Sequence, residues 1–296
     1  MSDTTQQAPA AALARPRSKG SRFLRLVRRN PFVPIGGGVV ALFALTALFA
    51  PWLAPKNPQM IDVVNRLLPP SPGHWMGTDE YGRDILSRVI HGSRISMSVA
   101  MLVVILSALM GVVLGILSAY YRRLDNIIMR MVDGLMAFPE ILLAISIVAT
   151  LGPSKGNVVA ALCVVYTPLI ARVVRASALV ERERTYVEAM EVMGAHPLRV
   201  MFLNILPNCT APLIIQLTFI FAQSIIVEAS LSFLGAGTPP QYPSWGNILS
   251  EGVIVMQEAW WQTAFPGLCI LVVVMALNLM GDGLRDVLDP HNISRR

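Results

Sequence analysis

Six apolar runs of bilayer-spanning length divide this chain, at residues 31–55, 95–120, 127–151, 157–180, 211–234 and 263–284. A helix rises 1.5 Å per residue and the hydrocarbon core of a bilayer is about 30 Å thick, so each run is long enough to cross as a helix. The pattern predicts an all-α, polytopic membrane protein with six transmembrane helices. One stretch departs from it. Residues 181–207 mix charges with hydrophobics at helical spacing, and Gly194 and Pro197 break the run. Thr185 followed by Glu188 fits a capping box, Gly194 suits a left-handed helix end, and Pro197 suits a first helical position. Leu198, Met201, Phe202 and Ile205 then repeat at i, i+3, i+4, i+7 with Arg199 on another side, and Pro207 is expected to stop that piece. The reading is two short helices with a bend, an amphipathic hairpin of the kind that lies on a bilayer surface.

The spans set the organisation. Residues 1–30 form a basic, disordered tail, 31–55 a first transmembrane helix, 56–94 an outer segment, 95–290 a unit of five helices, and 291–296 a second tail. The first run is too long, and too far from the start, to be a cleaved signal peptide. An even number of spans puts both termini on one side. With the N-terminus inside, eighteen of the 24 Lys and Arg fall on inner segments or the span ends beside them, which the positive-inside rule expects of cytoplasmic termini.

Composition agrees, at 54% hydrophobic residues, 14% charged and a mean hydropathy of +0.57, values outside the range of an ordinary soluble domain. A net charge of +6 invites a nucleic-acid reading until the basic residues are located. Seven precede the first span, and the helix at 198–205 carries Met, Phe and Leu where a DNA-reading helix needs basic and amide groups. No nucleic-acid partner is expected. Cys163, Cys209 and Cys269 lie far apart without metal-ligand spacing and read as packing residues. The segment Gly152–Asn157 lacks the spacing of a phosphate loop, and His74, His91, His196 and His291 all fall outside the spans, so no catalytic, metal or cofactor site is expected in this chain. If ATP is used, another chain binds it.

Polar residues inside spans are the remaining candidates, because a carboxylate at the centre of a bilayer costs about 2.5 kcal/mol or more unless it faces protein or water. Glu228 makes an i, i+4 stripe with Ser224 and Ser232, and Gln216 lies further back on the same helix. Gln216, Ser224 and Glu228 are candidates for a translocation path, or for hydrogen bonds between helices. Asp133 and Glu140, about Pro139, sit near the inner end of the third span. Gly111 and Gly115 allow close helix contact, and Trp260 and Trp261 are placed as boundary anchors. In Gly77–Asp84 (GTDEYGRD) the charges and glycines suggest a turn leading into a helix, with Thr78, Asp79, Arg83 and Asp84 serving either as a structural cap or as an outer-face contact for a binding protein. Arg285 suits a helix C-terminus, which Asp289-Pro290 would end.

Glu188-Ala189, then Gly194, then Leu206-Pro207 resembles the EAA loop of ABC-importer permeases, with departures at Met190 and Asn204. His74–Met97, Ser232–Gly235, Ser244–Gly246 and Asn278–Pro290 resemble the other blocks of the dipeptide, oligopeptide and nickel permeases, in their C-type subunit, so the resemblance covers nearly all the chain after residue 30. It implies a non-catalytic permease subunit in a bacterial inner membrane. It further implies a second permease subunit, two cytoplasmic ATPases that bind ATP and Mg, and a periplasmic substrate-binding protein. Glu188, Ala189, Gly194, Leu206 and Pro207 would couple the subunit to an ATPase. Di- or oligopeptides are the expected cargo, with nickel chelates, glutathione and other small solutes carried on the same blocks. A secondary transporter would need broken midplane helices in inverted repeats, and the sequence offers no such repeat.

Overall fold

A computed structural model describes residues 30–288. The basic N-terminal tail, Asp289-Pro290 and the tail at 291–296 lie outside the described residues. Among those described, the regular structure is helical, joined by turns and, in the outer segment, two isolated β-bridges, Ser71 to His74 and Thr78 to Asp84. Helix α1, Phe32–Leu48, is interrupted at Phe49 and followed by the single turn α2, Ala50–Leu53. Turns then lead to Asp84, whose carboxylate accepts the Ser87 N–H at 2.9 Å and so caps α3, Ile85–Tyr120. At 36 residues α3 is about 54 Å long, well beyond bilayer thickness. It begins ten residues before the expected apolar run, because the polar 85–94 segment continues the same helix.

The third expected span is not one straight helix. It is α4, Arg122–Met136, and α5, Glu140–Leu151, bent by 92°. Pro139 is extended (φ −58°, ψ 130°), and a proline both lacks the N–H that would continue the ladder and disfavours helix in the residue before it. Ser154 accepts the Asn157 N–H at 3.1 Å and starts α6, Lys155–Arg182. Next come α7, Thr185–Val192, and α8, Pro197–Arg199, which runs on without a break through Val200–Ile205 and Leu206–Cys209 into α9, Thr210–Phe233. Helix α10, Trp245–Ile254, and α11, Trp261–Leu288, complete the chain.

Four continuous helices are long and apolar enough to cross a membrane: α3, α6, the run Pro197–Phe233, and α11. The bent pair supplies a fifth candidate, while α1 is apolar but only 17 residues long. The described residues thus carry four to five candidate spans where six were expected.

Two clusters of buried side chains hold the bundle, and α9 contributes to both. In the first, α3 packs along α6: a Cβ on Gly111 would lie 2.6 Å from Ile170 Cβ, and one on Gly115 2.6 Å from the Ala171 carbonyl oxygen. Only hydrogen fits there, so the expected close contact at this pair of glycines is present. In the second, Trp245 is buried among α1, α3, α9 and α11, its ring edge-on to Phe43 and its Nε1 donating to the Val89 carbonyl at 3.1 Å. Trp261 corrects a sequence expectation. It is buried and donates Nε1–H to the Thr78 carbonyl at 3.2 Å, whereas Trp260 is exposed as a boundary residue would be.

Candidate functional site

Helix α7 ends in a Schellman motif: Ala195 N–H donates to the Met190 carbonyl and Gly194 N–H to the Glu191 carbonyl, both at 3.0 Å. Gly194 has φ +78°, the left-handed conformation that glycine adopts without Cβ strain. His196 caps the next turn, its Nδ1 accepting the Leu198 N–H at 3.3 Å, and Pro197 occupies the first helical turn. The start of α7 differs from the capping-box expectation. Arg184 holds the cap position without a side-chain bond, and Thr185 is already helical, so its hydroxyl is displaced from where a cap must sit. Glu188 remains in the first turn, exposed, where a negative charge favours the helix dipole.

Beyond Arg199 the chain widens into a π-turn over Val200–Ile205 and tightens into a 3-10 turn over Leu206–Cys209. Pro207 therefore does not stop the helix. Widening before its ring and tightening after it relieve the clash with the carbonyl four residues back, and the axis continues into α9. Val187, Val200, Met201, Ile205 and Cys209 are buried with Val174 and Ala178 of α6, which anchors the hairpin. Of the expected apolar face, Met201 and Ile205 are buried and Phe202 is half-buried, but Leu198 is exposed. Asn204 uses its side chain to donate to the Arg199 carbonyl at 3.0 Å, and Asn208 donates to Tyr186 Oη at 3.2 Å. Desolvation, ahead of a 3.2 Å hydrogen bond to Glu181, raises the Tyr186 pKa, so its hydroxyl stays a donor that ties α7 to α6. The tip left outside is apolar: Val192 and Met193 are 83% and 76% exposed. Ala189 is exposed on α7; at the base of the hairpin, near Tyr186, Pro207 is exposed and Leu206 half-buried.

At the opposite end of α3 the acidic turn has folded inward. Asp79, fully buried, accepts the backbone N–H of Tyr81 and Arg83 and pairs with the guanidinium groups of Arg83 (2.6 Å) and Arg88. Both arginines also reach Glu251 of α10, at 2.8 and 2.6 Å. Thr78 donates to the Asn65 carbonyl at 2.6 Å, and Asp84 accepts from Ser87 and pairs with His74 at 2.9 Å. Thr78, Asp79 and Asp84 are thus enclosed, and their side chains act as the structural cap; only Arg83 keeps partial exposure. Arg88 and Glu251 belong to this cluster and were not singled out from the sequence. Their separation of 163 residues gave no local signal.

The candidate path residues separate as well. Glu228 is fully buried and accepts Ser96 Oγ–H from α3 at 2.8 Å and Ser232 Oγ–H at 2.9 Å. Ser96 also accepts the Trp245 N–H, and Ser232 contacts Thr238, so one carboxylate joins α3, α9 and the approach to α10. Ser224 is equally enclosed. In this conformation both occupy helix contacts within the subunit, not a passage, and Gln216 alone of the three is partly exposed. Near the hairpin end, Asp125 accepts Arg175 in a two-point contact at 2.5 and 2.7 Å, and Asp133 pairs with Arg172 at 2.5 Å, joining α4 to α6.

Residues 111–293 match the family model described as the binding-protein-dependent transport system inner membrane component. The chain belongs to this family. Residues 18–70 match the N-terminal transmembrane domain of oligopeptide transport permease C. A putative peptide transport system permease of Brucella suis is 49% identical over 267 residues, 90% of either chain. The dipeptide transport system permease DppC of Escherichia coli K12 is 46% identical over 277 residues, covering 90% of this chain and 92% of that one. The MetNI methionine ABC transporter in an inward-facing form shares the fold, with a TM-score of 0.58 and 19% identity over 69% of this chain and 98% of its own. The chain is therefore a membrane-embedded permease subunit of an ABC importer.

Proposed function

We propose that this subunit forms half of a path for di- or oligopeptides across a bacterial inner membrane, receiving them from a periplasmic binding protein. The relatives named for peptide and dipeptide transport support that cargo. A second permease completes the path, α1 makes a sixth crossing, and both termini lie in the cytoplasm with the hairpin at 181–207. ATP and Mg act on two partner ATPases. This subunit performs no covalent chemistry; it converts their closure into helix movement and alternate opening to the two sides.

The observation that carries the coupling role is the hairpin's construction: a buried anchor, a left-handed Gly194 corner, and an exposed apolar tip at Val192 and Met193. Exposed apolar side chains rimmed by Glu188, Glu191 and Arg199 make a surface that a partner protein can cover. Glu188 and Ala189 lie on the approach to that corner, and Leu206 and Pro207 sit at the base of the hairpin where its second helix runs on into α9. The test is uptake by the complete complex in proteoliposomes, with binding protein and ATP, of a labelled dipeptide against nickel chelate and glutathione. ATP-dependent accumulation of the dipeptide is expected. Accumulation of nickel or glutathione alone would overturn the cargo assignment, and accumulation without ATP would overturn the transporter class.

A further inference from the structure

Resting on that reading, the geometry points to a ladder of uncharged hydrogen-bonding groups on α9, Gln216, Gln223 and Ser230, which we propose borders the aqueous passage and receives the amide groups of the solute. The three residues are spaced by seven. Seven residues turn a helix to within about 20° of two full turns, so all three share one face over about 21 Å of axis. Ser224 and Glu228 lie on a different face, and it is that face which α3 covers through Ser96.

Hydrogen-bond bookkeeping separates the two carboxamides from the rest of the bundle. Exposed or half-exposed span hydroxyls return to their own helix, as Ser146 donates to the Leu142 carbonyl at 2.7 Å, Thr150 to Ile147 at 2.8 Å, Ser177 to Val173 at 3.1 Å, and Ser230 itself to Ile226 at 2.8 Å, which leaves the Ser230 oxygen free only to accept. Those side chains tolerate lipid. Gln223 is exposed and Gln216 half-exposed, and among the described residues neither carboxamide has a hydrogen-bond partner. A carboxamide facing hydrocarbon without a partner is costly, so these two require water or a polar partner. Ser230 extends the face, and its helix neighbours Ile226 and Phe233 line with it an open, mostly apolar groove of about 340 Å³ whose other wall is Leu249 and Ile270, so the face is not close-packed against another helix of this subunit there.

The chemistry selects the ligand class. A carboxamide donates and accepts, as a peptide bond does, and it carries no charge, so it exchanges hydrogen bonds with a passing peptide backbone without holding it or sorting it by sequence. Gln223, in the middle of the ladder, is the position on which transport depends most.

The test uses the assembled transporter in proteoliposomes, with the three native cysteines replaced by alanine and single cysteines at Gln216, Gln223, Ser230 and, as a lipid-facing control, Leu42 on α1, which is 59% exposed. A charged, water-soluble thiosulfonate should label the three ladder positions at least about tenfold faster than Leu42→Cys, at rates that change between nucleotide-free and ATP-trapped states and fall when dipeptide is present. No labelling, or disulfide trapping of the ladder to the second permease, would overturn the passage assignment. In parallel, uptake of a dipeptide is compared with its ester-linked analogue. Gln223→Leu should lower dipeptide uptake about tenfold, the loss of one hydrogen bond, and narrow the preference for amide over ester, with Gln223→Asn restoring part of both. An unchanged preference in an assembled Gln223→Leu complex would overturn amide recognition. Failure of the unmodified complex to import dipeptide would instead overturn the cargo reading.

Discussion

Glu228 shows how one residue acquires a role that its position in the chain does not reveal. A carboxylate on an apolar helix, flanked by serines four residues away, is compatible with a passage or with a helix contact, and only the third dimension decides. Ser96, 132 residues away, completes the set of donors and turns the stripe toward α3. The account predicts that Glu228→Leu, which leaves two buried hydroxyls without their acceptor, destabilises the subunit by about 1–3 kcal/mol. Glu228→Gln keeps an acceptor and should stay close to wild type. Thermal unfolding of the purified complex checks this, and equal midpoints for Leu and wild type would contradict the clamp. Arg88 is a comparable case. A basic residue near a helix start reads as solvated, and its burial between Asp79 and Glu251 depends on α10, whose approach no local pattern encodes.

Among elements, hydropathy located the long helices because each must satisfy its own backbone in lipid, so its sequence carries the requirement locally. Less legible was how far an element continues beyond its apolar run. Residues 85–94 are polar enough to look like a loop, yet Asp84 caps them as the opening turns of α3. Pro139 was visible in the sequence but lay within an expected single span; the 92° bend there goes with packing of α5 against α6, seen in the burial of Ala144 and Val148. Trp261 was assigned from its usual preference for an interface, and a specific hydrogen bond to Thr78 overrides that preference. The small-residue pair in α3 gives a prediction at this scale. Gly111→Val places a side chain where Ile170 already lies, and overpacking of this kind costs about 1–3 kcal/mol. The expected outcome is a lower unfolding temperature with loss of assembled complex, whereas Gly134→Ala, in open space on α4, should leave both unchanged.

At the scale of the whole molecule, the proposed topology, resting on the uneven distribution of basic residues and an even number of crossings, predicts both termini and the hairpin on the cytoplasmic side. Met193 and Trp75, 76% and 74% exposed at opposite ends of the bundle, can report this. In intact cells a membrane-impermeant thiol reagent should label Trp75→Cys and leave Met193→Cys untouched until the membrane is opened; the reverse pattern would invert the topology. With that orientation, α8 and α9 form one uninterrupted rod from the hairpin to the far side of the membrane, through the π- and 3-10 turns that accommodate Pro207. In the proposed coupling, a displacement at the tip would be carried along α9, past the Glu228 contact, to the pocket lined by Pro239 and Pro240 at its other end. Gly194 sets the angle at which that rod begins, and a side chain there costs about 1 kcal/mol or more in a left-handed conformation. The decisive measurement is ATP hydrolysis by the reconstituted complex, with and without loaded binding protein, for wild type and Gly194→Val. The account predicts normal subunit assembly with loss of the substrate-stimulated component in Gly194→Val, and full stimulation in that variant would contradict the claim that this hairpin couples the permease to its ATPase.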